Sequence, residues 1–456
     1  MEKNLIKSTF SDKVFLKNLF SLALPIAFQS LMLSLVGASD TIMLGSLDQS
    51  SMAAVSLATQ LQFIQNLTIA GIVAAFHVLG AQYSGKEDRK SVNMVLCMTV
   101  RICLIVSIIT FIICFVFSRG AMRIFTNVEE LLNIGVEYLK IASFSYLISG
   151  LSQCFLAQIK LGKKTSKVAT ISSIAVVLNI ALNAIFIFGL LGSPKMGVKG
   201  AALATVISRV VELVLSIVEC WRDERIRPDL SKLFAYDKVL SRDYTRQLLP
   251  LLGAYLIWTV GISSYSAFLG HMGVDASAAN SLALTVRNLV QSFTKGLAGG
   301  ASIMIGYELG SGHTERARIY GDRLSILSLV CGVLTALLVI AAIPLALKAV
   351  DLSETATSYF ISMSFILALY VIGASYNSVV INGMFASGGD TLFDCYSIIV
   401  TMWGVAIPLA FLGTFVFNWP VAAVFICTCL DEVGKIPWTL HHYRKYKWVK
   451  DLTINN

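Results

Sequence analysis

One carboxyl group interrupts the first apolar run of the chain. Asp40 lies in the run Gly-Ala-Ser-Asp-Thr at residues 37–41, and a helix there would place Gln29 on the same face. A carboxyl with no cationic neighbour in a low dielectric can hold a proton in one state of a protein and release it in another. Asp40 is therefore a candidate coupling residue. The alternative is that it stands at the outer end of its helix and simply faces water.

Two amides and a hydroxyl form a second candidate group. Asn179 and Asn183 are four residues apart, so a helix points both side chains the same way. Together with Asp40 and Thr205 they could supply carboxylate, carbonyl and hydroxyl oxygens, which are the ligands that a hard cation prefers. Na⁺ at Asp40, Asn179 and Asn183 is thus one possibility. Hydrogen bonding between helices, which is common in membrane bundles, is the other.

A cationic stripe marks a later apolar run. Arg287, Gln291 and Lys295 follow one another at intervals of four residues along one helical face. Cations at membrane depth must face an aqueous cavity, an acidic partner or a route to the lipid headgroups. The first case would favour anionic or zwitterionic cargo. Aromatic residues could line an apolar cargo pocket or serve only in packing: Trp258, Tyr265, Tyr370, Tyr376 and Trp403.

Composition places these residues in a membrane. Of the 456 residues, 56% are hydrophobic and 14% are charged, whereas soluble domains carry about 25% charged residues. A hydrocarbon core of about 30 Å needs about 20 apolar residues to cross it. Twelve windows meet this requirement: 15–44, 52–82, 92–118, 133–158, 166–190, 198–220, 246–270, 277–308, 321–347, 356–384, 392–416 and 419–443. We therefore expect an all-α, multi-pass membrane protein.

The distribution of basic residues predicts its orientation. With an intracellular N-terminus, 25 of the 36 Lys and Arg residues fall on the cytoplasmic side, 5 fall outside and the rest lie within spans. This asymmetry is typical of proteins of the plasma membrane with both termini in the cytoplasm. The charges are scattered over short loops, which argues against nucleic-acid binding as the reason for the net charge of +9.

The chain also contains an internal repeat with an offset of about 225 residues. The matching pairs are Leu24-Pro25 with Leu249-Pro250, residues 53–58 with 278–283, Gly80 with Gly306, and Gly162 with Gly388. Six spans in each half give the halves the same orientation, as in parallel repeats. We expect two six-helix lobes around a central cleft: an N-lobe at 1–220, a cytoplasmic linker at 221–245 and a C-lobe at 246–456.

Motifs for other functions are missing from the sequence. There is no HExxH metal motif, phosphate-binding loop, or Ser/His/Asp arrangement, so we expect neither an enzyme nor an ATP-driven pump. The nine cysteines include no CxxC pair, which argues against a zinc site. No cofactor is expected beyond a coupling ion. Asp431, Glu432 and Lys435 in the last span are interpreted as a structural network.

Taken in order, these motifs resemble the bacterial multidrug and toxic compound extrusion (MATE) family over essentially the whole chain. The resemblance rests on residues 24–26, 40–45, 53–58, 80–82, 179–189 and 200–205. It implies an antiporter that expels organic compounds through a cleft between two lobes in exchange for H⁺ or Na⁺.

The resemblance also assigns roles to residues. It implies that Asp40 couples transport to the ion, with Asn179, Asn183 and Thr205 completing the site. Some members have an Asp where this chain has Asn183, and others have acids where this chain has Trp258 and residues 375–377. This chain is therefore similar to the branch that relies on the N-lobe.

The cargo is expected to be a small organic molecule, and the protein is expected to work as a monomer in the bilayer. The tentative cleft residues are Gln29, Trp258, Tyr265, Arg287, Gln291, Lys295 and Tyr376. A lipid or lipid-linked saccharide flippase, holding a phosphate with Arg287 and Lys295, is the alternative.

Overall fold

Long helices follow one another along the whole described chain. The structure, a computed structural model, describes residues 9–45, 49–350 and 352–453, without the side chains of 37, 38, 40–42, 45, 49 and 349. Within these residues there is no strand. The main helices are α1 Lys13–Gly45, α2 Gln49–Gly85, α3 Arg89–Phe115, α4 Glu129–Leu161, α5 Thr165–Phe188, α6 Val198–Arg222, α7 Lys238–His271, α8 Val274–Gly310, α9 Thr314–Ala349, α10 Glu354–Gly388, α11 Thr391–Val416, α12 Val421–Val433 and α13 Lys435–Tyr443.

The predicted fold class is confirmed. Each of the twelve predicted windows falls on one of α1 to α11 or, for the last window, on α12 with α13. Among the described residues, ten helices are long and apolar enough to cross a membrane by length and composition. The other two segments are α8, which carries Arg287 and Lys295 along its length, and the pair α12–α13. Helices dominate because the hydrocarbon core offers no partner for an unpaired backbone group.

The chain forms two compact units, and neither is continuous in sequence. Unit N comprises Gln29–Phe76 and Arg89–Tyr244. Unit C comprises the described residues of 1–28, of 77–88 and of 245–456. Helices α1 and α2 therefore each contribute one end to unit C and the rest to unit N. The lobe boundaries at 220 and 246 remain a prediction.

Packing in unit N is centred on α4 and α6. Helix α4 packs against α3 and α6, and α5 packs against α6. Helix α5 ends at Gly189, which has a φ of 75°, a left-handed conformation that glycine adopts without strain at the end of a helix. The amide of Gly189 donates to the carbonyl of Ile185. This arrangement brings the polar faces of α5 and α6 together.

Unit C is held together by small residues. Helix α8 packs against α9 and α10, while α12 packs against α10 and α11. The first part of α1 also lies on α8: a Cβ added at Gly296 would be 2.5 Å from the Ala27 Cβ. Such close helix contacts are possible only where both residues are small. Helices α1 and α7 each lack one intrahelical hydrogen bond, because Pro25 and Pro250, at equivalent positions of the repeat, have no backbone N–H.

Candidate functional site

Unit N contains a cavity of about 530 Å³. Five helices contribute to its wall: α1, α2, α4, α5 and α6. The polar residues on the wall are Ser56, Thr59, Gln60, Gln62, Asn66, Tyr138, Ser172, Asn179, Thr205, Ser208, Arg209 and Glu212. The apolar wall includes Leu33, Val36, Met52, Phe63 and Val176. A volume in the range of about 300 to 1,000 Å³ with mixed lining is typical of sites for small organic ligands.

The amide and hydroxyl residues predicted to act together lie in contact. Asn183 Nδ2 donates to Asn179 Oδ1 over 3.3 Å, and Asn179 Nδ2 donates to Thr205 Oγ1 over 3.4 Å. Thr205 in turn donates to the carbonyl of Ala201 over 3.0 Å. Asn179 and Thr205 line the cavity, whereas Asn183 is buried behind them. Spacing along α5 thus correctly anticipated a joint polar surface, and α6 completes it.

The side chain of Asp40 lies outside the described part of the structure. Its backbone belongs to α1, and in helical register residue 40 stands midway between Val36 and Leu44. Val36 and Leu44 both line the cavity. The assignment of Asp40 as a coupling residue stays a prediction.

A buried ion pair in the same wall was missed by the reasoning from sequence. Glu212 on α6 is only 1% exposed, and its Oε2 accepts from Arg209 Nη1 over 2.8 Å. Two hydroxyls complete its surroundings: Ser152 Oγ donates to Oε2 over 3.0 Å and Ser172 Oγ to Oε1 over 3.4 Å. The signal was available, because Glu212 is a carboxyl inside a predicted span, which is the criterion that selected Asp40.

Gln29 connects α1 to this ion pair. Its Nε2 donates over 2.9 Å to Oγ of Ser172, the hydroxyl that itself donates to Glu212. Gln29 is buried at 3% exposure and is not part of the cavity wall. Its predicted place in a cargo cleft therefore stays a prediction, and its described contacts are those of a residue linking α1 to α5.

The three residues of the cationic stripe on α8 differ in their exposure and in their neighbours. Arg287 lies in unit C beside a cavity of about 20 Å³, Gln291 is half-buried and Lys295 is exposed. Of the aromatic candidates, Tyr265 lines that same cavity and Trp258 packs against the cluster containing Tyr265. Tyr376 is buried in a separate apolar cluster.

Among the described residues, no group of three or more His, Cys, Asp or Glu side chains could hold a metal ion. The oxygen atoms of Asn179, Asn183 and Thr205 are neutral candidate ligands near the cavity. The possible Na⁺ site at Asp40, Asn179 and Asn183 stays a prediction, since it depends on a side chain that the structure does not describe.

Comparison with known proteins matches both halves of the chain to one family. The MatE family model matches residues 25–185 and 250–412. The two segments begin at Pro25 and Pro250, 225 residues apart, which is the offset of the internal repeat. Since together they cover well over half of the chain, the match concerns the protein as a whole.

Individual proteins resemble the chain over nearly its full length. An uncharacterized transporter of Bacillus subtilis strain 168, YisQ, is 25% identical over 457 residues, covering 99% of each chain. A probable multidrug resistance protein, NorM, of Pasteurella multocida is 28% identical over 416 residues, covering 88% of this chain and 86% of that one. The crystal structure of the Vibrio cholerae MATE transporter VcmN in the bent form has a TM-score of 0.85 at 17% identity, with 97% and 98% coverage.

Proposed function

This chain belongs to the MATE family of membrane transporters, and we propose that it expels organic compounds from the cell in exchange for H⁺ or Na⁺ moving inward. The observation that carries this proposal is the cavity of unit N, in which an ion pair and an amide–hydroxyl cluster share one wall. A relative of similar length is named as a probable multidrug resistance protein.

The cavity has the properties expected of a cargo site. Its volume of about 530 Å³ accommodates a drug-sized molecule, and apolar residues such as Phe63 and Val176 can contact the carbon skeleton. Arg209 and Glu212 provide a charged pair at one side, and Asn179 and Thr205 provide uncharged polar groups. This lining favours an amphiphilic organic molecule that carries a charged or zwitterionic group.

Coupling requires that binding of the ion lowers the affinity of the protein for cargo, and that binding of cargo lowers its affinity for the ion. Residue 40 is four positions from both Val36 and Leu44, the residues of α1 on either side of it that line the cavity. Glu212 supplies a buried carboxyl to the same wall. We infer that binding of the coupling ion at this wall changes the affinity for cargo. Because Ser172 joins Glu212 to Gln29, a change at Glu212 is transmitted directly to α1.

The flippase alternative receives no support. It requires Arg287 and Lys295 to hold one phosphate group, yet Arg287 stands at a cavity of about 20 Å³ and Lys295 is exposed. A lipid phosphate is several times larger than a cavity that can take about one water molecule. We therefore retain efflux as the single proposed function.

The test is transport of a fluorescent cationic dye into everted membrane vesicles, driven first by a pH gradient and then by a Na⁺ gradient. We expect one of the two gradients to drive accumulation in the wild type, and Asp40→Asn and Glu212→Gln to abolish or strongly reduce it. The matched control is Glu219→Gln on the same helix, where the carboxylate pairs with Lys164 instead.

Glu219→Gln should transport like the wild type, provided that membrane levels are equal. Dye accumulation that persists in Asp40→Asn and Glu212→Gln would contradict the proposed coupling. If neither gradient moves any cationic, zwitterionic or anionic dye, efflux itself is contradicted. The gradient that works identifies the coupling ion.

A further inference from the structure

A small cavity lies inside unit C, and it is distinct from the cargo cavity of unit N. Its volume is about 20 Å³, and its wall is built from α7, α8, α10 and α12. The polar residues on this wall are Tyr265, Ser266, Asn280, Arg287, Tyr370, Thr428 and Asp431. A cavity holds one water molecule when it offers at least about 10 to 15 Å³ and two to four polar partners. Its size excludes organic cargo.

Three residues of this wall have buried polar atoms without a hydrogen-bond partner in the described protein. These atoms are the Tyr265 hydroxyl, Arg287 Nε and Asp431 Oδ2. A buried polar atom left unpaired costs about 1 to 3 kcal/mol, so three such atoms around one cavity indicate a small polar ligand rather than an apolar gap. The three residues come from three different helices, α7, α8 and α12.

Asp431 is the acid of this site. It is 1% exposed, and its Oδ1 accepts from the amide of Glu432 over 2.7 Å, which leaves Oδ2 for a ligand. The neighbouring Glu432 differs, because its carboxylate accepts from Lys435 over 2.7 Å and from Asn377 over 2.8 Å. Hydrogen bonds within the protein thus engage both oxygens of Glu432 but only one oxygen of Asp431.

The charges around Asp431 come from several helices. Arg287 on α8 and Lys435 on α13 are its positive neighbours, and Glu432 is the negative one. Among the groups that titrate only at alkaline pH, Tyr265, Tyr370 and Cys429 interact with it electrostatically. Asp394 on α11 is a further acid beside Glu432 and Lys435, so three carboxyl groups share two cations. Arg287 at the wall disfavours a metal cation as the ligand.

We propose that this cavity binds a single water molecule and that Asp431 exchanges a proton through it, so that unit C contains its own protonation site. The carboxylic O–H of Asp431 breaks as its proton passes to the bound water, and the bound water gives one of its own protons to solvent water, so it is unchanged. Arg287 stabilises the carboxylate that remains. Participation of this site in the transport cycle rests on the proposed efflux function; the protonation itself does not.

The experiment is infrared difference spectroscopy of the full-length protein in lipid vesicles, stepped from acid to alkaline pH. Protonated carboxyl groups absorb in a region free of amide bands. Because the other carboxyl groups titrate in the same step, the measured quantity is the difference between variant and wild type. We expect the carboxylic band to lose one component in Asp431→Asn and to keep that component in Glu432→Gln. The Tyr265→Phe variant, which keeps the ring and removes the hydroxyl, should move the midpoint of the band. Tyr376→Phe, a buried tyrosine in another cluster, should not.

Each result is decisive for the site. A carboxylic band in Asp431→Asn that equals the wild-type band overturns the proposal. If Asp431→Asn does not fold, the pH midpoint of the carboxylic band in Tyr265→Phe is compared with that of the wild type. Equal midpoints overturn the proposal. Dye transport is measured on the same vesicles. If Asp431→Asn loses its component of the band but the wild type shows no efflux, this site stands and only the proposed function is refuted. If the wild type shows efflux but Asp431→Asn loses no component, only this site is refuted.

Discussion

The guanidinium of Arg209 donates to the carboxylate of Glu212 over 2.8 Å, one helical turn apart on α6. Arg209 reaches the cavity at 21% side-chain exposure, while Glu212 is buried behind it at 1%. The carboxylate also accepts from Ser152 on α4 and Ser172 on α5. One buried charge therefore organises three helices of unit N.

Glu212→Gln should destabilise the protein because it leaves the Arg209 guanidinium without its counter-charge. Removing one partner of a fully buried pair costs about 3 to 5 kcal/mol, and the partial exposure of Arg209 should make the loss smaller than that. Thermal unfolding in detergent measures the effect. The double variant Arg209→Met with Glu212→Gln should recover part of the loss. A double variant no more stable than Glu212→Gln would contradict the pairing.

Thr205→Val should weaken transport without unfolding the protein. The substitution keeps the shape of the side chain but removes the oxygen that accepts from Asn179 at the cavity wall. A neutral hydrogen bond is worth about 0.5 to 1.5 kcal/mol, so kcat/KM for dye efflux should fall by a factor between about 2 and about 13. Thr170→Val is the control, since this exposed threonine of α5 donates to the carbonyl of Ser166. Equal effects of the two substitutions would argue against a role for Thr205.

Gln82→Ala should loosen the C-terminal segment from α2. Gln82 is fully buried; its Nε2 donates to the carbonyls of Ser387 over 2.6 Å and Lys450 over 3.1 Å, and its Oε1 accepts from the amide of Leu452 over 2.6 Å. Leaving such buried groups unpaired costs about 1 to 3 kcal/mol. We expect a lower unfolding temperature and faster removal of the C-terminus by carboxypeptidase.

The control for Gln82 is Lys86→Ala. Lys86 is exposed, and its ammonium donates to the carbonyl of Thr453 over 2.9 Å. Its loss should lower stability by less than about 1 kcal/mol, since an exposed polar contact is largely replaced by water. Equal digestion of the C-terminus in Gln82→Ala and in the wild type would refute the anchoring role of Gln82.

Asp12 should make stability depend on acid pH. The amide of Phe15 and the guanidinium of Arg323, whose Nη1 lies 2.6 Å from Asp12 Oδ2, hold the pKa of this carboxyl below its usual value of 3.8. Because the folded pKa is lowered, this stabilisation is complete above pH 3.8 and is lost as pH falls through the lowered pKa. Asp12→Asn should flatten this part of the stability profile.

The measurement is the unfolding temperature between neutral and strongly acidic pH. Arg323→Met should flatten the profile less than Asp12→Asn, since the amide of Phe15 remains as a donor at 2.9 Å. At neutral pH the ion pair is worth at most about 1 kcal/mol, because Asp12 is partly exposed. An acid profile that is the same in Asp12→Asn and wild type would refute this contribution.

The sequence by itself determined the number of spans, the helical class and the repeat. Those properties depend on apolar length and on backbone hydrogen bonding in hydrocarbon, which are local. Asn179 and Asn183 were predictable as a pair for the same reason, since four residues along one helix always share a face. The repeat offset could be found from sequence because Pro25 and Pro250 occupy equivalent positions in its two copies.

Only the tertiary structure decided which helix faces meet. The environment of Glu212 depends on α4 and α5, and Arg287 and Asp431 line one cavity although they are 144 positions apart in sequence. The regular stripe of α8 predicted a shared role for Arg287 and Lys295, yet the structure places one at an internal cavity and leaves the other exposed. Hydropathy determines that a helix enters the membrane, whereas its rotation is set by close packing between small residues of distant segments.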